Sequence, residues 1–148
     1  MAQFGRPSAD TFNGDAWIED GVGDNSALFD EIDESVADDA DYVQSPITPT
    51  SDAYVTKLTA VTDPMVSTGH TVRYRYGKNV AAGDQIDLTV QLRQGYVNEG
   101  SQGTLIHSEV HANVAAAFVA GAFTLTGGEA DTITDYSDLY LRFVANKP

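Results

Sequence analysis

Cysteine is absent from the 148 residues of the chain. With it go disulfides, thiolate metal sites and thiol nucleophiles. A cysteine-free chain fits a reducing site of folding. Basic residues are scarce: eight Lys and Arg stand against 22 Asp and Glu, for a net charge of −14. A surface this acidic repels phosphate and argues against sequence-independent binding of DNA or RNA. It repels anionic membranes as well, and it suits a positively charged partner surface. Long hydrophobic runs are also missing. The most apolar stretch, VAAAFVAGAF at 114–123, is ten residues long, where a spanning helix needs about 20. The opening MAQFGRPSAD holds no apolar signal core, which predicts a chain made in the cytoplasm without a secretory signal. There is no G-x-S-x-G elbow and no G-x-x-x-x-G-K-[ST] phosphate loop. GVGDNS at 21–26 lacks the third glycine and the preceding strand of a dinucleotide loop.

What is present is strand pattern. In HTVRYRYG (70–77), Val72, Tyr74 and Tyr76 alternate with Thr71, Arg73 and Arg75. In QIDLTVQLRQ (85–94), Ile86, Leu88, Val90 and Leu92 alternate with Asp87, Thr89, Gln91 and Arg93, which predicts a strand with one solvated side. AYVTKLTAV (53–61), GTLIHSEV (103–110), GAFTLTG (121–127) and DLYLRFVAN (138–146) continue the series. Turn-rich joints separate them: TDPMVSTG (62–69), GKNVAAGD (77–84), NEGSQG (98–103) and TGGEAD (126–131). No strand–helix alternation and no solenoid repeat occur. The prediction is an all-β chain, an antiparallel β-sandwich or jelly-roll-like single domain over 14–148 with an extended N-terminal arm at 1–13. Trp17 and Ile18 are expected to begin the sheet. The stretch 111–120 is ambiguous between helix and strand.

The first fifty residues hold twelve acids and one base, Arg6. Within them LFDEIDESVADDAD (28–41) threads Leu28, Phe29, Ile32 and Val36 through seven acids. A disordered tail should lack those apolar residues. An EF-hand loop needs Gly at its sixth position and Glu at its twelfth. Counting from Asp30 gives Ser35 and Asp41, and counting from Asp20 gives Asn25 and Glu31. The reading is a short amphipathic turn over 26–34, packed by Leu28, Phe29 and Ile32 with its acids in water. A second helical turn is expected in 128–136.

His107 and His111 stand four apart in HSEVH, but the H-E-x-x-H pattern is absent and on a strand the two share a face. A structural role is expected for both, and a strand-edge position for His70. Glu129 and Asp131 are read as part of a turn rather than as a glycosidase pair. Trp17, Tyr74, Tyr76, Tyr96, Tyr136 and Tyr140 suit either a sugar platform or a core. The alternation of Tyr74 and Tyr76 with Val72 favours the core. No catalytic, cofactor or metal residue is assigned. The candidate contacts to a partner are Phe4, Arg6 and Phe12 on the arm, together with Arg73 and Arg75, because interfaces enrich Phe and Arg.

Four blocks carry a resemblance: LFDEIDESVADDADYVQSP (28–46), STGHTVRYRYGK (67–78), IDLTVQLRQG (86–95) and GGEADTITDYSDLYLRFVA (127–145). In this order they resemble a family of small virion proteins of tailed bacteriophages. Residues 1–15 and 99–122 match no part of that pattern. The resemblance implies a β-sandwich structural domain of a phage particle, and the lack of catalytic motifs makes a non-enzyme the expectation. Two roles fit it: a capsid decoration or cement protein on the head exterior, or a tail, fibre or neck subunit that binds glycan or host. The implied partners are the major capsid protein or other virion proteins, and copies of itself, with a homotrimer as the expected state. Neither nucleic acid nor membrane is an expected partner.

Overall fold

A strand with apolar residues at every second position needs neighbours for its backbone and a layer to cover its apolar side. The computed structural model, which describes residues 2–14, 17–20 and 23–148, shows how both needs are met. Met1 and Asp15 of the two N-terminal segments named above, Ala16, and Gly21 and Val22 of GVGDNS lie outside the described residues.

The elements in chain order are β1 (Pro7–Asn13), β2 (Ile18–Glu19), a 3-10 helix (Leu28–Ile32), β3 (Val43–Gln44), β4 (Thr50–Leu58), β5 (Thr71–Tyr76), β6 (Asp87–Gln94), β7 (Thr104–His111), β8 (Val119–Thr124), α1 (Gly127–Ala130) and β9 (Leu139–Asn146). A five-stranded sheet runs in the order β1-β4-β9-β6-β7, and β2-β3 and β5-β8 form two-stranded ribbons. Every pairing is antiparallel. The chain is an all-β, sandwich-like single domain with layers of unequal width.

The inner face of the large sheet carries most of the core. Leu58, Val90, Leu92, Leu139 and Leu141 from β4, β6 and β9, with Ile106 from β7, meet Phe123, Leu125, Ala130 and Ile133 from the opposing layer. Val72 and Tyr74 of β5 pack against this cluster. Gly121 on β8 sits across from Tyr74, and a Cβ there would stand 2.5 Å from the Tyr74 ring. Only glycine allows the ring to lie on that strand. A second cluster on the same face joins Trp17, Leu28, Tyr54 and Ala145.

Three expectations need correction. The arm at 1–13 is not separate from the sandwich: Pro7–Asn13 is β1, the edge strand paired with β4. Its register shifts between Pro7 and Ala9 and again between Asp10 and Phe12. Two irregularities in seven residues erase the period of two, so the stretch does not read as a strand. Residues 2–6 follow the same edge, with the Gln3 amide bonded both ways to the Thr62 backbone and the Thr59 N–H donating to the Arg6 carbonyl. Trp17 and Ile18 do not begin the large sheet. Trp17 is core, and Ile18 opens the small β2-β3 ribbon.

Third, the outer side of β6 is not solvated throughout. Arg93 is only 9% exposed. The connection 95–103 folds back over that face and inserts Glu99, which accepts two hydrogen bonds from Arg142, at 2.9 and 2.5 Å, and one from the Tyr96 hydroxyl at 2.8 Å. Val55, Tyr96 and Tyr140 pack beside this network with Phe12. The ambiguous stretch 111–120 is mainly a connection, with β8 starting at Val119.

Candidate functional site

The two-stranded β5-β8 ribbon is too narrow to cover a five-stranded sheet. It lies toward β7, where the His107 ring on β7 stacks on Phe123 of β8 at 4.3 Å. Toward β1 and β4 the cover is the 3-10 helix and the β2-β3 ribbon. Between the two covers lies an open cleft of about 1520 Å³. Its floor includes Leu58, Leu88, Leu141 and Phe143 of the large sheet. One wall is β5, and the other is the acidic segment from Glu31 to Ile47, with Trp17. The walls are tied together at one end. The Arg75 guanidinium bonds both oxygens of Asp39, at 2.5 and 2.6 Å, and the rings of Tyr42 and Phe118 meet at 5.7 Å.

The acidic wall is positioned by β1. The 3-10 helix starts after Ala27, in the left-handed region with φ 55°, and has no side-chain cap of its own. Asp10 on β1 supplies one from a distance. Its two oxygens accept the N–H groups of Leu28 and Phe29 at 2.8 and 2.9 Å, and the Tyr54 hydroxyl donates to it at 2.7 Å. A carboxylate here meets both the free N–H groups and the positive end of the helix. At the other end Arg6 Nη1 donates to the Glu34 carbonyl at 2.5 Å. β1 and the residue just before it therefore grip both ends of the turn with charges of the matching sign. Burial, then the bond to Asp10, pushes the Tyr54 phenol far up.

The charges of the acidic wall are poorly compensated. Burial first, then repulsion from Glu19, Asp41, Asp20 and Glu34, raises the Glu31 carboxyl. Glu34 is raised by burial and by Asp33, Asp41 and Asp38, and its Oε1 is buried without a donor among the described residues. The amphipathic reading of this stretch holds for Leu28, which is fully buried, and for Ile32, which packs on the core. Val36, 79% exposed, belongs to the surface. Glu31 and Glu34 are half-buried rather than in open water.

On the ribbon side the imidazoles join layers. His107 Nδ1 bonds Glu129 Oε1 at 2.7 Å, with Glu109 Oε2 3.5 Å from its Nε2. Glu129 also closes a capping box with Thr126 at the start of α1. The His107 bond first, then the Thr126 amide and hydroxyl, hold the Glu129 carboxyl down to about 2. His111 Nε2 meets the Tyr74 hydroxyl at 2.6 Å, and its ring stacks on Tyr76 at 4.1 Å. Burial, then Glu109 and Tyr76, push the Tyr74 phenol up to about 12. His70 Nε2 meets the Tyr136 hydroxyl at 2.8 Å. Among the described residues no group of three or more His, Cys, Asp and Glu is placed to hold a metal ion.

Of the five residues expected at a partner surface, three are engaged within the chain: Arg6 on the 3-10 helix, Phe12 in the outer-face cluster and Arg75 on Asp39. Phe4 is 64% exposed with Arg6 5.6 Å over its ring, and Arg73 is exposed on β5. Sequence reasoning missed Asp10, Tyr54, Glu99 and Glu129 as organising groups. For Glu129 a signal existed, since TGGE at 126–129 is a capping-box pattern. For Asp10 none did, because its partners are 18, 19 and 44 residues away. Comparisons of the chain with protein-family models, curated proteins and solved structures find no match.

Proposed function

We propose that the chain is a structural subunit of a tailed-bacteriophage particle: a decoration or cement protein on the head exterior that contacts the major capsid protein and acts as a homo-oligomer, a trimer at a symmetry axis. The observation that carries this reading is where the four phage-like blocks fall in the fold. LFDEIDESVADDADYVQSP builds the acidic wall, STGHTVRYRYGK holds β5, IDLTVQLRQG holds β6, and GGEADTITDYSDLYLRFVA runs from α1 through most of β9. Each block supplies a layer or a tie between layers, so what resembles the phage family is a scaffold. The side chains able to do chemistry serve the same end. His107 with Glu129, His111 with Tyr74 and Arg75 with Asp39 each bridge two covers or layers. The net charge of −14 keeps such a subunit soluble before assembly and steers it to a basic surface.

The test is copy number. Purified particles are run on a quantitative stained gel beside the major capsid protein. Hundreds of copies per particle support a head decoration role, and a handful assigns the chain to a tail, fibre or neck. Absence from particles overturns the virion reading.

A further inference from the structure

The layer opposite the large sheet stops at β5. The backbone of that strand pairs only with β8 among the described residues, yet all six of its residues line the cleft. If only one face of β5 met the cleft, alternate residues would line it. Six in succession place the strand's edge there. The Leu125 N–H donates to the His70 carbonyl at 2.9 Å. In the β5-β8 register, Val72, Tyr74 and Tyr76 therefore carry the inter-strand bonds. Thr71, Arg73 and Arg75 turn their N–H and C=O groups to the free edge. At roughly 3.3 Å per residue this edge is about 20 Å long. Below it lies an apolar floor that includes Leu88, Leu141 and Phe143. The cleft, at about 1520 Å³, exceeds the roughly 300–1,000 Å³ of small-molecule sites.

We infer that the cleft receives an extended segment of another protein, which pairs with the free edge of β5 as an added strand, sets apolar side chains at alternate positions onto the floor, and carries net positive charge. The edge supplies backbone partners and the floor supplies alternating apolar contacts, the two requirements of strand addition. The charge follows from the far wall. Glu31, Asp33, Glu34, Asp38, Asp39 and Asp41 line the cleft, Arg75 neutralises Asp39, and Glu34 Oε1 is buried and lacks a donor among the described residues. Of the bases that line the cleft, Arg6, Arg75 and Lys78 bond the chain's own atoms, which leaves Arg73 as the one base without a partner among the described residues, so the rim favours a cation. As the occupant of this cleft a second copy fits poorly, because a chain of net charge −14 would be set against the acidic wall. The inference concerns the fold and stands apart from the virion reading, so copy number and strand addition fail separately.

The probe is a capped peptide of about eight residues, long enough to span β5, with valine alternating with lysine and arginine. Binding is read from the emission of Trp17, the single tryptophan, which lines the cleft. Saturable binding is expected, at least about tenfold weaker when glutamates replace the bases, and about tenfold weaker when the same residues are arranged in blocks rather than in alternation. Arg73→Pro removes an edge N–H without touching the β8 ladder, and it should abolish binding while the melting temperature holds. Two peptides N-methylated at odd or at even positions test the same point on the unchanged protein: one of the two must lose binding. Equal binding of the alternating and block peptides, or of both methylated peptides, overturns the inference. So does no saturation, or self-association of the protein that the peptide competes away, which would make the occupant a second copy.

Discussion

Over β6 and β7 the large sheet is covered by the β5-β8 ribbon and α1. Over β1 and β4 it is covered by the 3-10 helix and the β2-β3 ribbon. The first cover shares a cluster of ten buried apolar residues with the sheet, and the second shares four. Their carboxylates differ in the same sense. Glu129 is held well below its ordinary value by His107 and Thr126. Glu31 and Glu34 are pushed above theirs by burial and by each other's neighbours. The ribbon is held by apolar area with its charge satisfied. The acidic cover is held by a few tethers, chiefly Asp10 and Arg6, against its own repulsion. The lesson is that apolar burial tolerates changes of pH and salt, whereas a tethered acidic layer responds to both.

The largest effect should come from the shared floor. Val90 on β6 is fully buried inside the sheet, and Val90→Asp puts an unpaired charge there. The expected loss exceeds about 4 kcal/mol, seen as absence of a cooperative melt by circular dichroism. Next is Leu28→Ala, which empties the fully buried anchor of the acidic cover and should cost about 2–4 kcal/mol. A melting temperature unmoved by this change would show that the acidic cover detaches before the sheet unfolds, and the contrast between covers would then be one of cooperativity. Asp10→Ala strands the N–H groups of Leu28 and Phe29 and the Tyr54 hydroxyl. It should cost about 1–3 kcal/mol, and hydrogen exchange should rise in 28–34 before it rises in β6.

The smallest effects are the most discriminating, because they carry opposite signs. Glu129 titrates lower in the folded chain than in the unfolded one, so its contribution is present above about pH 4.5 and is lost as pH falls toward about 2. Glu129→Gln should melt earlier at pH 7 and lose less than the parent between pH 4.5 and 2. Glu31 and Glu34 titrate higher when folded, so their charges oppose folding at neutral pH. The double change to Gln should melt later at pH 7, with the gain vanishing below about pH 4.5, where both forms are neutral. Thermal melts across pH settle both. The same sign for the two variants would break the comparison.

The strands with clean alternation were legible in advance. β5 and β6 start and stop within two residues of the expected stretches, and the face shared by Val72 and Tyr74 is the core face. β1 was not legible, because its two register shifts hide the period. Arg93 reads as a solvated residue on the outer side of its strand, the side on which Arg142 of β9 also lies. They are covered by a connection that returns over them, bringing Glu99 and the Gln102 carbonyl as partners. Gly103 permits that return: its φ is 65°, and a Cβ would lie 2.2 Å from the Gln94 carbonyl oxygen. A polar side chain at an alternate position says which face it occupies, not whether something lies over that face.

By itself the sequence determined composition, charge and local periodicity. From these followed a cysteine-free, strongly acidic, all-β chain with antiparallel layers and a structured acidic segment. Period-two alternation needs only neighbours in sequence, which is why it could be read. Tertiary structure alone decided that β1 joins the large sheet, that Asp10 caps a helix 18 residues away, that two covers of unequal strength share one face, and that, among the described residues, β5 ends its layer with a free edge over a cleft with an apolar floor and an acidic wall. Each depends on which distant segments meet. That choice is made by burial summed over the whole fold, and local pattern does not encode it.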